Sequence, residues 1–271
     1  MLQFLREIHT MKNENVWVLF ALLFSLSAFA QNTTFEDLPL DNQLYQRNVN
    51  TNRAIIPISG SISSTGFTQV RLQVSNEQGQ IDEQTRSLTY IGGRANFQFS
   101  ATIPAERNNH TINIEARIGD EWRVLRNVTG VLAGDIYIIN GQSNAQAAAA
   151  PHENDIDPYT RSWFSPFGWG TLNLSFPGLW GARLAKNIST DQNLPIAIFN
   201  QAVGAEPIIS YLPTLANGNY ESLQQRFESA NVNGEVRAAL WFHGEANSWG
   251  TPTEEYINDF RSIQDLSLIH I

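Results

Sequence analysis

The chain has 271 residues, of which 42% are hydrophobic and 11% aromatic, so it can bury one full core and has room for a second domain. Its 17 basic and 26 acidic residues give a formal charge of -9, and no basic stripe is visible, which argues against a nucleic-acid partner. The absence of cysteine excludes disulfides, thiolate metal sites and a thiol nucleophile.

Residues 1–30 predict a signal peptide whose true start is Met11. From there the sequence has Lys12, an apolar stretch over 16–24 and a small-x-small cleavage site at 28–30. The alternative is a membrane anchor, but the apolar stretch is shorter than the roughly 20 residues that span a bilayer. We therefore expect an exported protein, periplasmic or extracellular, with no membrane span in its mature form.

Residues 53–132 predict an antiparallel β-sandwich domain, preceded by a polar lead-in at 31–52 that has no periodicity. Apolar and polar residues alternate in "TQVRLQVS", "NFQFSATI" and "TINIEARI", and turn segments such as "NEQGQ" and "IGGR" separate the runs. This period of two indicates strands with one buried face.

Residues 133–265 predict an α/β domain. "IYII", "PIAIFN" and "VRAALWF" are nearly continuous apolar runs, as expected of parallel strands that are covered on both faces. "GLWGARLAKNI", "YESLQQRFESA" and "TPTEEYINDFRSI" predict helices, and the last has Thr251 as N-cap, Pro252 at the first position and Glu254 in a capping box. Alternating strands and helices predict a doubly wound sheet.

Each of the three predicted parallel strands is followed by a distinctive polar segment: 141–144 (Gly-Gln-Ser-Asn), 203–206 (Val-Gly-Ala-Glu) and 243–247 (His-Gly-Glu-Ala-Asn). The carboxyl ends of parallel strands meet at one crevice, where ligands bind. We therefore expect the three segments to lie together.

The residue types in these segments suit acyl-transfer chemistry. Ser143, on a tight corner, could expose its Oγ as a nucleophile and its own N–H as an oxyanion donor, although a helix-capping serine is the alternative. Gly204 could bring a second N–H close to a substrate, or be an ordinary turn glycine. His243 is a candidate oxyanion donor and Glu245 and Asn247 candidate substrate ligands, unless the three only satisfy one another.

An aromatic segment lies between the first corner and the next helix, over residues 163–180. Trp163, Phe167 and Trp169 are candidates for a glycan subsite, because aromatic faces stack on sugar rings. The alternative is that these side chains fold the long loop onto the domain.

Together, "GDIYIINGQSNAQ", "IFNQAVGAEPIISYLP" and "VRAALWFHGEANS" resemble the sialate O-acetylesterase and acetylxylan esterase branch of the SGNH hydrolases, over roughly residues 134–265. The resemblance implies a flavodoxin-like three-layer α/β/α domain, often preceded by a β-sandwich. It assigns Ser143 as nucleophile, Gly204 as oxyanion donor and Gln142 to the substrate site. His243 stands where relatives usually have Gln, and Ala205 replaces the second of two glycines.

The resemblance implies a secreted esterase that removes acetyl groups from sialic acid or xylan-type glycans, with no metal and no cofactor. Two alternatives remain: a non-catalytic glycan-binding relative without a working triad, and an SGNH lipase or thioesterase, which would prefer long acyl chains.

Relatives place the catalytic acid and base in an Asp-x-x-His element well after the third segment. The last six residues, "LSLIHI" at 266–271, look like the translation of a sequencing-adapter end, so we expect native sequence to stop near Asp265 and the SGNH-type domain to be truncated. Neither His152 nor His270 fits the expected base. Loss of the later strands would leave an apolar sheet edge, and we expect this 271-residue chain to be poorly soluble and inactive.

Overall fold

The computed structural model describes residues 33–147, 149–172, 177–213, 218–232 and 236–268. The predicted signal peptide at 1–30 lies outside the described residues, and so do 269–271 of the predicted adapter segment. The fold is mixed α/β and is dominated by strands that form several sheets.

The antiparallel part consists of two groups of strands. β1 (Thr33–Asp37), β3 (Arg53–Ile62) and β6 (Ala95–Pro104) form a three-stranded sheet. The second group contains β4 (Phe67–Asn76), β5 (Gly79–Ser87), β7 (His110–Ile118) and the first half of β8 (Glu121–Gly141). The three alternating segments of the sequence are strands, as predicted. Their buried faces share one hydrophobic core, which includes Ile58, Leu72, Phe97 and Ile114.

The parallel part of the structure is built on the second half of β8. β11 (Ile196–Asn200) and β12 (Ala238–Phe242) both pair with β8 in parallel, which confirms the three predicted parallel strands. β9 (Thr160–Phe164) pairs in parallel with β11, and β10 (Gly168–Gly170) is antiparallel to β9. The description of the whole as a sandwich followed by a three-layer domain stays a prediction.

Within the described ranges, four α-helices accompany these strands: α1 (Ser143–Gln146), α2 (Gly178–Gln192), α3 (Asn219–Ser229) and α4 (Thr253–Leu268). The last three correspond to the helices predicted from the sequence. Helix α2 buries a stripe of small side chains, and a Cβ at Gly181 would lie only 3.1 Å from Ile139 Cδ1. Small residues therefore let this helix approach the sheet closely. Helix α4 begins one residue later than predicted.

The segment predicted as a polar lead-in contains ordered strands. Besides β1, it includes β2 (Leu44–Gln46), which pairs in parallel with β8 from Leu132 to Gly134. Arg47 then forms an ion pair at 2.9 Å with the buried carboxylate of Asp135. The strand partners of this segment are distant in sequence, so its lack of local periodicity did not reveal them.

Strand β8 runs without interruption through the predicted domain boundary at 132/133. Its antiparallel pairing with β7 ends at Val131, and its parallel pairing with β2 begins at Leu132. Just before this change, Gly130 has a φ of 72°, and a Cβ there would lie 2.3 Å from Asn42 Oδ1. Glycine is thus required both by the backbone and by the space. One strand belongs to both halves of the molecule.

Two further features concern the surface. Among the described residues, β8 is the only strand that pairs with β12, and the Phe242 side chain at the end of β12 is 55% exposed.

None of the helices in the described ranges is both long and apolar enough to cross a bilayer.

Candidate active site

The structure brings the three polar segments together at the carboxyl edge of the parallel strands. The N–H of Val203, in the second segment, donates to the carbonyl of Gly141 at 3.0 Å, and the N–H of Gln142 donates to Phe242 at the end of β12 at 3.2 Å. The side-chain Oε1 of Gln142 accepts from the N–H of Ala246 at 2.9 Å. The first segment is therefore hydrogen-bonded to both of the others.

Ser143 lies on a sharp corner between β8 and α1. Gly141 has a φ of 130°, and a Cβ there would lie 2.0 Å from the carbonyl oxygen of Phe242, so only glycine fits. Gln142 is the N-cap of α1 and its side chain makes no capping bond, whereas Ser143 is the first helical residue. The helix-capping alternative for Ser143 therefore does not describe this corner.

The Ser143 side chain is solvent-exposed. Its Oγ has no hydrogen-bond partner among the described residues, and the same is true of the backbone N–H of Ser143 and of Gly204. A hydroxyl and two N–H groups are thus available to an outside ligand.

Several side chains that the sequence did not single out hold this corner rigid. The Tyr211 hydroxyl donates to the carbonyl of Gly141, and the Trp180 Nε1–H donates to the carbonyl of Ala145 at 2.9 Å. The Asn200 amide, at the end of β11, donates to the same Ala145 carbonyl at 3.2 Å. Nothing in the sequence except the position of Asn200 at the end of a strand could have indicated this function.

Gly204 lies beside the serine. A Cβ at Gly204 would be 3.9 Å from Ser143 Cβ and 3.3 Å from Gln146 Oε1, so the absence of a side chain keeps the space next to Ser143 open. Gly204 does not have a positive φ, whereas Ala205 does, at 62°. Position 205, where the family that this sequence resembles has its second glycine, is the one that needs the left-handed conformation. Here Ala205 adopts that conformation.

His243 uses both ring nitrogens within the protein. Nε2 lies 2.8 Å from the carbonyl oxygen of Glu206, which can only accept, so Nε2 carries the proton. Nδ1 then accepts from the hydroxyl of Tyr256 at 3.1 Å. Burial lowers the pKa of His243, which favours this neutral form. The prediction that His243 donates directly to an oxyanion is corrected, because its only N–H is already donated to the segment that carries Gly204.

Gln142 and Asn247 were predicted to bind substrate, and the structure places both in hydrogen bonds between loops. Gln142 is buried, and its Oε1 bridges to the third segment as described above. Asn247 is also buried; its Oδ1 accepts from the N–H of Ile208 at 2.9 Å and its Nδ2 donates to Thr251 Oγ1 at 2.8 Å. Both amide groups of Asn247 are paired with protein atoms, whereas Nε2 of Gln142 has no hydrogen-bond partner among the described residues.

Glu245 is exposed and lies near the serine through its neighbour in the chain. Its Oε1 accepts a hydrogen bond from Asn144 Nδ2 at 2.5 Å, and Asn144 directly follows Ser143. A carboxylate at the rim of the corner remains compatible with the predicted contact to substrate.

Burial of Trp169 argues against its place in the predicted aromatic glycan subsite, whereas for Trp163 the subsite stays a prediction. Trp169 is only 5% exposed, donates its Nε1–H to the carbonyl of Ala230 at 2.9 Å and packs edge-on against Phe199. Trp163 is half-buried and packs edge-on against Trp169. Trp169 belongs to the apolar side of the sheet, as the alternative held. Phe167 is 85% exposed, on the turn between β9 and β10.

Besides Phe242, the exposed aromatic residue close to the third segment is Trp249, at 94% exposure. It belongs to the turns that follow His243, in which the N–H of Ser248 donates to the carbonyl of Glu245 at 3.2 Å. The only feature of the sequence that could have pointed to Trp249 was its position just after the third segment.

No histidine side chain is hydrogen-bonded to Ser143 within the described ranges: His110 is buried in the antiparallel part, and His152 lies on the short turn 152–155. In the same part of the chain, no group of three or more His, Asp or Glu side chains could hold a metal ion.

The fold is similar to that of a carbohydrate acetylesterase from Xanthomonas citri, with a TM-score of 0.53 and 19% sequence identity. The similarity covers 88% of this chain and 57% of that protein, so the chain spans less than two thirds of its length. A protein from Arabidopsis thaliana has a TM-score of 0.42 at 15% identity, over 50% of this chain and 68% of its own. No protein-family model and no curated protein matches the chain.

Proposed function

We propose that the protein is an exported, serine-dependent carbohydrate O-acetylesterase of the SGNH superfamily. The observation that carries the proposal is the exposed, unpartnered Oγ of Ser143 on a rigid corner, with Gly204 leaving the space beside it open. The likeness to a carbohydrate acetylesterase supports the fold on which this site would operate.

In the proposed reaction, a histidine base takes the proton of Ser143 Oγ as this oxygen attacks the acetyl carbonyl carbon. The N–H groups of Ser143 and Gly204 hold the oxyanion that forms. The tetrahedral intermediate expels the sugar oxygen, which receives the proton, and leaves an acetyl-serine. Water, deprotonated by the same base, then releases acetate and restores the serine. The family resemblance assigns the base to an Asp-x-x-His element that follows the third segment.

His243 acts in this scheme as a positioning residue. Its Nε2–H donates to the Glu206 carbonyl, two residues after Gly204, and thereby fixes the loop that supplies one oxyanion donor. A misplaced donor weakens electrostatic stabilisation of the transition state, which is worth roughly 10²–10³ in rate per donor in comparable sites.

The proposed substrate is an acetylated glycan of the sialic acid or xylan type. Trp249 offers an exposed aromatic face in the third segment's turns, on which a sugar ring could stack, and Glu245 offers an acceptor for sugar hydroxyls. A second candidate is a non-catalytic glycan-binding protein. The observation in its favour is that no histidine is hydrogen-bonded to Ser143 within the described residues.

The experiment is an esterase assay on the product of the gene's full open reading frame, with p-nitrophenyl acetate, acetylated xylan and an O-acetylated sialoside. Ser143→Ala should abolish turnover on all three, while the matched variant Ser100→Ala, at an exposed position of β6, should not change it. Unchanged turnover in Ser143→Ala would refute the proposed nucleophile. Binding of glycans without any turnover by the parent would favour the second candidate. Faster turnover of long-chain than of acetyl esters would favour a lipase or thioesterase.

A further inference from the structure

A second cleft borders the middle of β8, well before the end of the strand that leads to Ser143. Its volume is about 550 Å³, within the range of small-ligand sites. Thr129 and Gly130 of β8 line it, and the strand rises roughly 35 Å from there to Gly141 at about 3.3 Å per residue. The cleft is therefore separate from the candidate active site.

The lining of this cleft comes from both halves of the molecule, and most of the lining residues have polar side chains. β4 and β7 of the antiparallel part contribute lining residues. The segment before β9 and the residue after β10 contribute further lining residues from the other half. Amide and hydroxyl side chains both donate and accept hydrogen bonds, which is what the hydroxyl groups of a sugar require. Those that line the cleft are Asn42, Asn76, Asn109, Thr111, Thr129 and Thr171.

Arg161 is the buried charged residue of this lining. Its guanidinium donates to the carbonyls of Asn42 at 3.2 Å, Pro158 at 2.6 Å and Thr160 at 3.1 Å, and to Asn109 Oδ1 at 2.9 Å. All four acceptors are neutral, and no carboxylate lies within ion-pair distance among the described residues.

The carboxylate of Asp157 acts on Arg161 only through space and pairs with Arg107, so the hydrogen-bond acceptors of this buried guanidinium are neutral and a further electron-rich group would stabilise it. Burial lowers the pKa of Arg161 to about 10, so the side chain stays charged at neutral pH. An arginine has five N–H donors, and four have acceptors in the protein, so one N–H on Nη2 remains for a ligand.

We propose that this cleft binds a saccharide unit, one oxygen of which accepts the remaining N–H of Arg161. The oxygen can belong to a hydroxyl of a neutral sugar or to the carboxylate of an acidic sugar, and the surrounding amides and hydroxyls pair with the other sugar hydroxyls. Glu77, exposed at the rim and without a hydrogen-bond partner in the described part of the chain, accepts from a neutral sugar and repels an acidic one.

Isothermal titration with a xylo-oligosaccharide and with an oligogalacturonide tests the proposal. The titrated protein carries Ser143→Ala, so that the outcome does not depend on esterase activity. We expect Thr111→Trp, which fills the cleft, to weaken binding at least about tenfold. The control Thr85→Trp, the same change on an exposed position of β5 outside the cleft, should bind like the parent.

A second variant keeps the test valid if Thr111→Trp does not fold. Glu77→Ala removes an exposed side chain and should weaken xylo-oligosaccharide binding by about threefold while strengthening oligogalacturonide binding by a similar factor. Binding of neither saccharide by the parent, or equal binding by Thr111→Trp and Thr85→Trp, would overturn the proposal. Failure of the proposed esterase activity would leave it intact, because the titration measures binding at a cleft remote from Ser143.

Discussion

The Nε2–H group of His243 donates a hydrogen bond of 2.8 Å to the carbonyl oxygen of Glu206. This bond connects the loop after β12 to the loop after β11, and the latter carries Gly204. Tyr256, at the start of α4, donates to the other ring nitrogen and so fixes the orientation of the ring. His243, which was expected to contact the oxyanion, thus acts indirectly: it positions the backbone of the loop that carries the oxyanion donor Gly204.

This arrangement predicts different effects for two substitutions of His243. His243→Gln should keep kcat within about threefold of the parent, because a glutamine can still donate to Glu206 and accept from Tyr256. His243→Phe preserves the ring but has no N–H, and should lower kcat roughly 10- to 100-fold with little change in KM for p-nitrophenyl acetate. Equal losses in both variants would show that the hydrogen bond does not position the loop.

Gly204→Ala tests the open space beside the nucleophile. The backbone at Gly204 tolerates alanine, but its methyl group would lie 3.9 Å from Ser143 Cβ. We expect a protein of normal stability whose kcat/KM is roughly a hundredfold lower, because the methyl group displaces the substrate from the oxyanion donors. Gly250→Ala is the control, since a Cβ there meets nothing within 4 Å. Full activity of Gly204→Ala would argue against an oxyanion site at this glycine.

The exposed Trp249 should matter for glycans and not for small esters. Trp249→Ala is expected to raise KM for acetylated xylan or the sialoside several-fold, since about 1 kcal/mol of aromatic stacking is lost. Turnover of p-nitrophenyl acetate should be unaffected. Phe167→Ala, another highly exposed aromatic on a turn elsewhere, provides the comparison. A similar increase in KM for both variants would point to a non-specific effect.

The protein should lose stability as pH falls below about 6.5, partly because of His110. Burial lowers the pKa of this histidine, whose Nδ1–H donates to the carbonyl oxygen of Val131 at 3.2 Å. Since the unfolded state binds the proton more readily, the stability present above the unfolded pKa is lost as pH decreases through the folded pKa.

Thermal melting at about pH 7.5 and about pH 5.5 measures this effect. His110→Phe should reduce the drop in Tm between the two conditions, whereas the exposed His152→Gln should leave it unchanged. The same drop in His110→Phe as in the parent would exclude a contribution from His110.

The sequence predicted the strands and the meeting of the three segments because both depend on local patterns. Continuous apolar runs identified the ends of β8, β11 and β12, and parallel pairing places those ends at one edge. The functions of individual polar residues could not be read this way. Gln142 and Asn247 look like ligands in the sequence, but whether an amide faces a ligand or another loop depends on contacts with residues far along the chain.

Burial was the second property that local sequence did not reveal. Trp169 and Trp249 are both tryptophans in polar, glycine-containing segments, yet one is part of the core and the other is almost fully exposed. The difference arises because β10 adds to the sheet next to β9, which turns Trp169 onto Phe199. Strand β2 escaped prediction for the same reason, since its partner in β8 lies about ninety residues away.

The most direct test of Ser143 as nucleophile is peptide mapping by mass spectrometry after treatment of the full open reading frame's product with a fluorophosphonate. The account predicts a single phosphonyl adduct on Ser143, accompanied by loss of acetylesterase activity, and no adduct in Ser143→Ala. A protein that hydrolyses acetylated glycans while Ser143 stays unmodified, or that is inactivated by an adduct on another residue, would contradict it.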